Sequence, residues 1–223
     1  MTRTVALIAV AAALLTTRAA PAAVGCTLND PDRDIARIFP EAVGYETEFV
    51  SIAERGADSL AARVEERLGD ALDPVYETVD VPYAYYTVLG PEGTILGRVH
   101  GVNQRGAFGG MQLILATDPA GAVVDFYYQK LSSPEAASFR DEAFTGRFRG
   151  LTVRDFEARD RDAPDAPAAR DSLDDIADPS EKSAEDFAAT LRGVRKNLIL
   201  LDEFHGIGST PPGKEDTDDE DHR

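Results

Sequence analysis

Two serines precede a long helical pattern in the stretch DPSEKSAED, residues 178–186, and their hydroxyls come nearest to doing chemistry. A hydroxyl at the start of a helix can carry a cofactor phosphate, because free backbone amides and the positive end of the helix dipole favour an anion there. The same residues can also just begin the helix: Ser183 as N-cap with Asp186 three residues on has the form of a capping box, worth about 1 kcal/mol. The local field opposes a phosphate. Asp174, Asp175, Asp178, Glu181, Glu185 and Asp186 crowd the segment, with Lys182 alone against them.

Other reactive types are sparse. His100 falls in an alternating strand pattern, His205 at the end of the last helix, where it complements the dipole, and His222 in the tail. No His or Cys pair has metal-ligand spacing, and there is no Cys-x-x-Cys-His, no Gly-x-Ser-x-Gly and no phosphate loop. Hydrolytic chemistry therefore lacks a nucleophile with a base in sight. Cys26 is the only cysteine, so no intramolecular disulfide forms. It ends AVGC (23–26), which has the form of a lipoprotein cleavage box and makes Cys26 the lipidation candidate; the alternative is an ordinary cut near Ala20 or Ala23 that leaves a free thiol.

Those residues sit in a chain of 223 with a formal charge of −17, which repels nucleic acid and anionic headgroups. Residues 1–25 read as a signal peptide: Arg3 supplies the positive start, VALIAVAAALL (5–15) the apolar run, and TTRAAPAA the cleavage region. The run is too short to span a bilayer, so the expectation is an exported protein, periplasmic or on the outer face of a membrane. Residues 26–74 form a helical segment, 75–206 an α+β domain, and 207–223 an acidic, solvated end.

The elements that must position the serines follow from periodicity. Ile35, Ile38 and Phe39 ahead of Pro40 predict a short helix in 30–42, and Leu60, Val64, Leu68 and Leu72 an amphipathic one over 58–72. Strands are expected at 83–89, 94–102, 111–118 and 122–131, an antiparallel meander with GPEG and the glycine-rich RGAFGG between its runs. Residues 132–153 read as a short helix and a strand, and 157–179 as an acidic loop. Phe187, Leu191, Val194, Leu198 and Leu201 then mark the longest helix, ending near His205 and Gly206. The fold class is thus α+β, an antiparallel β-meander packed against a long C-terminal helix and shorter N-terminal helices.

This order of elements, with GPEGTILGRVHGV, GAFGGMQLILATDPAGAVVDFYY, FTGRF and a serine-rich entry into the last helix, resembles the extracytoplasmic FMN-binding domain over residues 75 to 205. That family includes the flavin-carrying subunits of the Rnf and sodium-pumping NADH:quinone reductase complexes. The resemblance implies an electron-transfer or accessory component working with membrane-bound redox proteins. In the family an Asp and then Ser-Gly-Ala-Thr open the last helix, with FMN esterified to the threonine. Here DIADPSEKS puts Ser180 in its place and Ser183 near a following serine, while Ala177, Asp178 and Pro179 replace Ser, Gly and Ala. A Glu-Thr-Pro-Gly-Leu-Gly segment corresponds to SSPEAA (132–137), which keeps Pro134. The resemblance thus implies FMN, noncovalent rather than esterified to Ser180, with Ser132 and Ser133 as donors and Phe108, Gly109 and Gly110 against the rings. The alternative is a flavin-free binding or assembly module of the same fold.

Overall fold

Alternation along one central strand explains the architecture. The computed structural model describes residues 25–160 and 173–208, and its strands are β1 (Gly44–Val50), β2 (Tyr83–Leu89), β3 (Ile95–Gly106), β4 (Gly109–Thr117) and β5 (Val123–Lys130). They pair in that order, each antiparallel to the next, with β3 in the centre. On β3, Val99 faces one core and Val102 the other. Both faces of the sheet are covered, which is why YAYYTVL and MQLILAT read as nearly unbroken apolar runs.

One face carries the larger core. Across it lie α3 (Ala57–Leu68), preceded by the single turn α2 (Ile52–Arg55), and α7 (Ala184–His205), about 33 Å long. Gly193 lets α7 approach the sheet, since a Cβ there would lie 2.9 Å from Leu113. The short elements α4 (Ala136–Phe139), α5 (Glu142–Thr145) and α6 (Val153–Asp160), with the 3-10 turn Gly146–Phe148 between the last two, close this core with Phe139, Phe144, Phe156 and Phe148. The opposite face is covered by α1 (Pro31–Ile38) and the segment carrying Cys26 and Leu28. Asp34 anchors α1 to β5 by accepting from the Tyr127 hydroxyl at 2.8 Å.

The α+β fold forms as the sequence indicates, with five differences of detail. A fifth strand, β1, precedes the four expected; as an edge strand it buries only Val50, so it shows no apolar alternation. RGAFGG is a tight hairpin turn in which Gly106 pairs with Gly109 across Ala107 and Phe108. No strand forms in 132–153; Gly150 and Leu151 make single backbone bonds to Val123, and α4, α5 and the turn at Gly146–Phe148 occupy the segment before them. Helix α6 begins in the expected strand and runs into the expected acidic loop. Ser183 is the N-cap of α7, but its side chain makes no capping bond and Asp186 is turned elsewhere, so the capping box does not form. The signal peptide and the acidic tail from 209 onward lie outside the described residues.

Cys26 is buried against β3, its Sγ near where a Cβ of Gly101 would fall, 2.7 Å away, with Ile114 at 2.6 Å on the other side. Burial pushes its thiol up to about 12, so it packs as a neutral apolar group. Gly101→Val should therefore displace Cys26 and Ile114 together and lower unfolding stability by about 1–3 kcal/mol in urea titration. An unchanged midpoint would mean that this face is loosely packed.

Candidate functional site

The entry to α7 is the place to which sequence points, and its geometry follows from three short segments. Residues 178–183 lead into the helix through a bend at Glu181 and Lys182, residues 132–135 lead from β5 into α4, and the β3–β4 turn lies alongside. Glu135 ties the first two together. Its carboxylate accepts from the amides of Glu181 at 2.8 Å and Lys182 at 2.9 Å, and from the Ser183 hydroxyl at 2.7 Å. Those bonds, the Glu181 amide first, hold the Glu135 carboxyl below the usual carboxylate range. Ser180 donates its hydroxyl to Asp178 at 2.6 Å, and its oxygen accepts from the Ser183 amide. The third segment is held by Asp186, buried, which accepts from the Ala107 amide at 2.8 Å.

The residues singled out by sequence are partly brought together. Ser132 lies 4.0 Å from the Cβ position of Gly109, Ser133 accepts from the Glu135 amide, and Pro134 precedes Glu135. Phe108 stands at the hairpin tip and is 53% exposed, and the Cβ position of Gly110 is 2.6 Å from the Tyr76 ring. Cys26 lies on the far face of the sheet from α7.

A phosphate does not fit what these residues do. Both serine hydroxyls already donate to carboxylates, and the two amides of the approach are taken by Glu135. A phosphate would have to displace an anion that is covalently part of the chain, in a field that Asp178 and Asp186 make more negative. Glu135 was missed because it follows Pro134, where the family segment has its glutamate before the proline. Its partners lie 46 to 48 residues away.

Further along α7 the buried face is polar. Tyr128 and Thr190 share a hydrogen bond of 2.7 Å, and Thr190 donates back to the Asp186 carbonyl. Lys196 and Glu77 are both fully buried and form an ion pair. Lys196 also donates to the Asn103 carbonyl at 2.6 Å and to Gln104, and Arg192 grips Glu77 with two nitrogens at 2.6 and 3.1 Å. Burial works to raise the Glu77 carboxyl, but Arg192 and Lys196 outweigh it and leave it lowered. This network is satisfied by its own members and fixes the connection between α3 and β2.

A wider cleft lies elsewhere. It has a volume of about 530 Å³, runs along the outer edge of β5, and is walled by Arg33 and Arg37 of α1 on one side and Arg140 and Thr145 on the other. A second, of about 350 Å³, lies between Phe144, Arg147, Asp178 and Pro179. Among the described residues no cluster of His, Cys, Asp or Glu is placed to hold a metal, and no helix is long and apolar enough to cross a membrane.

Fold and site define an α+β protein: a two-sided five-stranded meander whose long helix is closed at its amino end by a carboxylate. No family model and no curated protein matches the chain, so the resemblance to FMN-binding domains rests on the residues quoted for it.

Proposed function

We propose that this chain is an exported, flavin-free binding or assembly module on a scaffold resembling the FMN-binding domain. The observation that carries this reading is the Glu135 carboxylate, which takes the amides and the hydroxyl that a cofactor phosphate would need. A binding role also suits a cleft of about 530 Å³ lined by arginine, carboxylate and aromatic side chains.

The test is colour. The mature chain, exported together with a flavin transferase and then incubated with FMN, is expected to stay colourless and to give no fluorescent band on a denaturing gel. A fluorescent band that disappears in Ser180→Ala would overturn the proposal, and so would yellow colour that washes out only on denaturation. Glu135→Ala should lower the melting temperature, since it frees two amides and the Ser183 hydroxyl at once.

A second reading keeps one observation in its favour. Ser132, Gly109 and Ser183 converge on one end of α7, as expected of a domain that holds FMN noncovalently as an electron-transfer or accessory component among membrane-bound redox proteins. The two readings part on whether added FMN is retained.

A further inference from the structure

The segment that follows the expected leader is built into the core. Gly25 donates its amide to the Pro82 carbonyl at 2.9 Å, and a Cβ there would meet Val81 at 3.2 Å. The Leu28 amide donates to the Tyr86 hydroxyl at 3.3 Å and the Asn29 amide to Gln129 at 2.8 Å, while Gln129 donates back to the Thr27 carbonyl at 2.8 Å. Residues 25–29 therefore form a strap fastened near the start of β2, along β2 and on β5. Between those ties Cys26 and Leu28 are 2% and 6% exposed, and they complete the smaller core with Ile35, Phe39, Tyr86 and Val99.

Cleavage at AVGC would undo this arrangement. A lipoprotein peptidase cuts between Gly25 and Cys26 once a diacylglyceryl group is joined to the cysteine sulfur by a thioether bond. That cut removes Gly25, and with it the bond to Pro82. The thioether carbon would also need space where there is none, because the sulfur packs so closely over β3 that a Cβ at Gly101 would lie 2.7 Å from it. Acyl chains on this sulfur reach a membrane only if Cys26, and Leu28 with it, is drawn out of the core. The acidic surface, with a formal charge of −17, adds repulsion from anionic headgroups.

We propose that the exported chain is cut upstream of Cys26, after the sequence Ala20-Pro21-Ala22, and is released without a lipid, its one thiol sealed beneath residues 25–29. Ala20 and Ala22 supply the small side chains at the third and first positions before the cut that a signal peptidase reads. In that step water adds across the Ala22–Ala23 peptide bond, leaving a carboxylate on the leader and an amine on Ala23, and the cysteine sulfur takes no part. The mature chain keeps Gly25 and every bond of the strap. Burial also protects an unpaired thiol in an oxidising compartment, since a sulfur out of reach of other thiols forms no intermolecular disulfide. The inference rests on the export reading and is independent of whether FMN binds.

The test is the intact mass and membrane partition of the full chain, expressed with its own leader in a bacterium that carries both peptidases. A soluble product of residues 23–223 with an unmodified cysteine is expected. Cys26→Ala should be cut at the same bond, whereas a lipoprotein precursor needs the cysteine and would accumulate uncut. Alkylation of the native wild type by iodoacetamide should be about a thousandfold slower than in denaturing urea, as the thiolate fraction falls for a thiol held near 12. A product that starts at Cys26, carries a diacylglyceryl group and stays with the membrane would overturn the inference while leaving export intact. Uncut Cys26→Ala, or equal alkylation rates with and without urea, would overturn it too. Wild-type chain that keeps its leader, lipid-free and with the thiol still protected, would overturn the export reading and the cut together, so the two failures are distinguishable.

Discussion

Glu77→Ala should unfold this protein more readily than any other single change in its polar residues, at a cost of about 3–5 kcal/mol. The reason is what remains behind. Lys196 is fully buried on α7, and with Glu77 gone its ammonium keeps only the Asn103 carbonyl and Gln104 as partners. Arg192 loses its two-point contact and retains Asp70, the Ala71 carbonyl and Gln104. Two cations then lie side by side with the exposed Asp70 on Arg192 as the remaining ion-pair partner and none on Lys196. For a folded part of this size, such a loss lowers the melting temperature by about 10 °C or more. A second substitution separates the pair from its parts. Glu77→Leu combined with Lys196→Met removes both charges and should recover most of the loss, because a buried ion pair is worth little against apolar residues of similar volume. Chemical denaturation of both single variants and the double variant measures this, and a Glu77→Ala cost below about 1 kcal/mol would show that water reaches Lys196.

The same residues show what sequence can reveal. Helices α3 and α7 and strands β2 to β5 are legible because each buries a regular stripe: Leu60, Val64 and Leu68 on α3, or Tyr83 and Tyr85 against Ala84 and Tyr86 on β2. Strand β1 is not, because an edge strand with one buried residue has no stripe to display. Glu77 gives no local signal either. It lies in an irregular connection, and its partners Arg192 and Lys196 are 115 and 119 residues away on a helix whose apolar stripe drew the eye to the neighbouring positions. At the candidate site, the approach to α7 and its N-cap Ser183 were legible from pattern alone. The filling of that approach by Glu135 was not, since it depends on how the chain folds back after β5. The cleft along β5 needs four elements, α1, β5, α4 and α5, to meet, and no single segment carries its pattern.

Acid should destabilise the protein through His100 well before its carboxylates protonate. His100 stacks on Tyr85 at 4.8 Å in the core, and neither ring nitrogen has a hydrogen-bond partner of good geometry. Burial pushes its pKa down to about 3; His205 and Arg98 add to the effect, and Asn197 of α7 opposes it. An ordinary histidine titrates near 6.5, so above that pH neither the folded nor the unfolded chain holds the proton and His100 contributes no slope. Between 6.5 and about 3 the unfolded chain binds it and the folded chain does not. Stability therefore falls with pH by about 1.4 kcal/mol per unit, reaching about 4–5 kcal/mol at the lower limit. His205, also lowered by burial, acts in the same direction, and Asp73, held down to about 2 chiefly by Arg105, adds its loss only below about pH 4. The window from 6.5 to about 5.5 thus isolates the histidines, because Glu77 and Glu135, both held below the ordinary glutamate value, add their own loss at lower pH. Urea unfolding of the wild type there should show an uptake of one to two protons, and His100→Phe should remove about one of them whatever it does to stability at neutral pH. An unchanged slope in His100→Phe would mean that His100 accepts a proton inside the folded protein, and that Asn197 and Tyr85 make room for the charge.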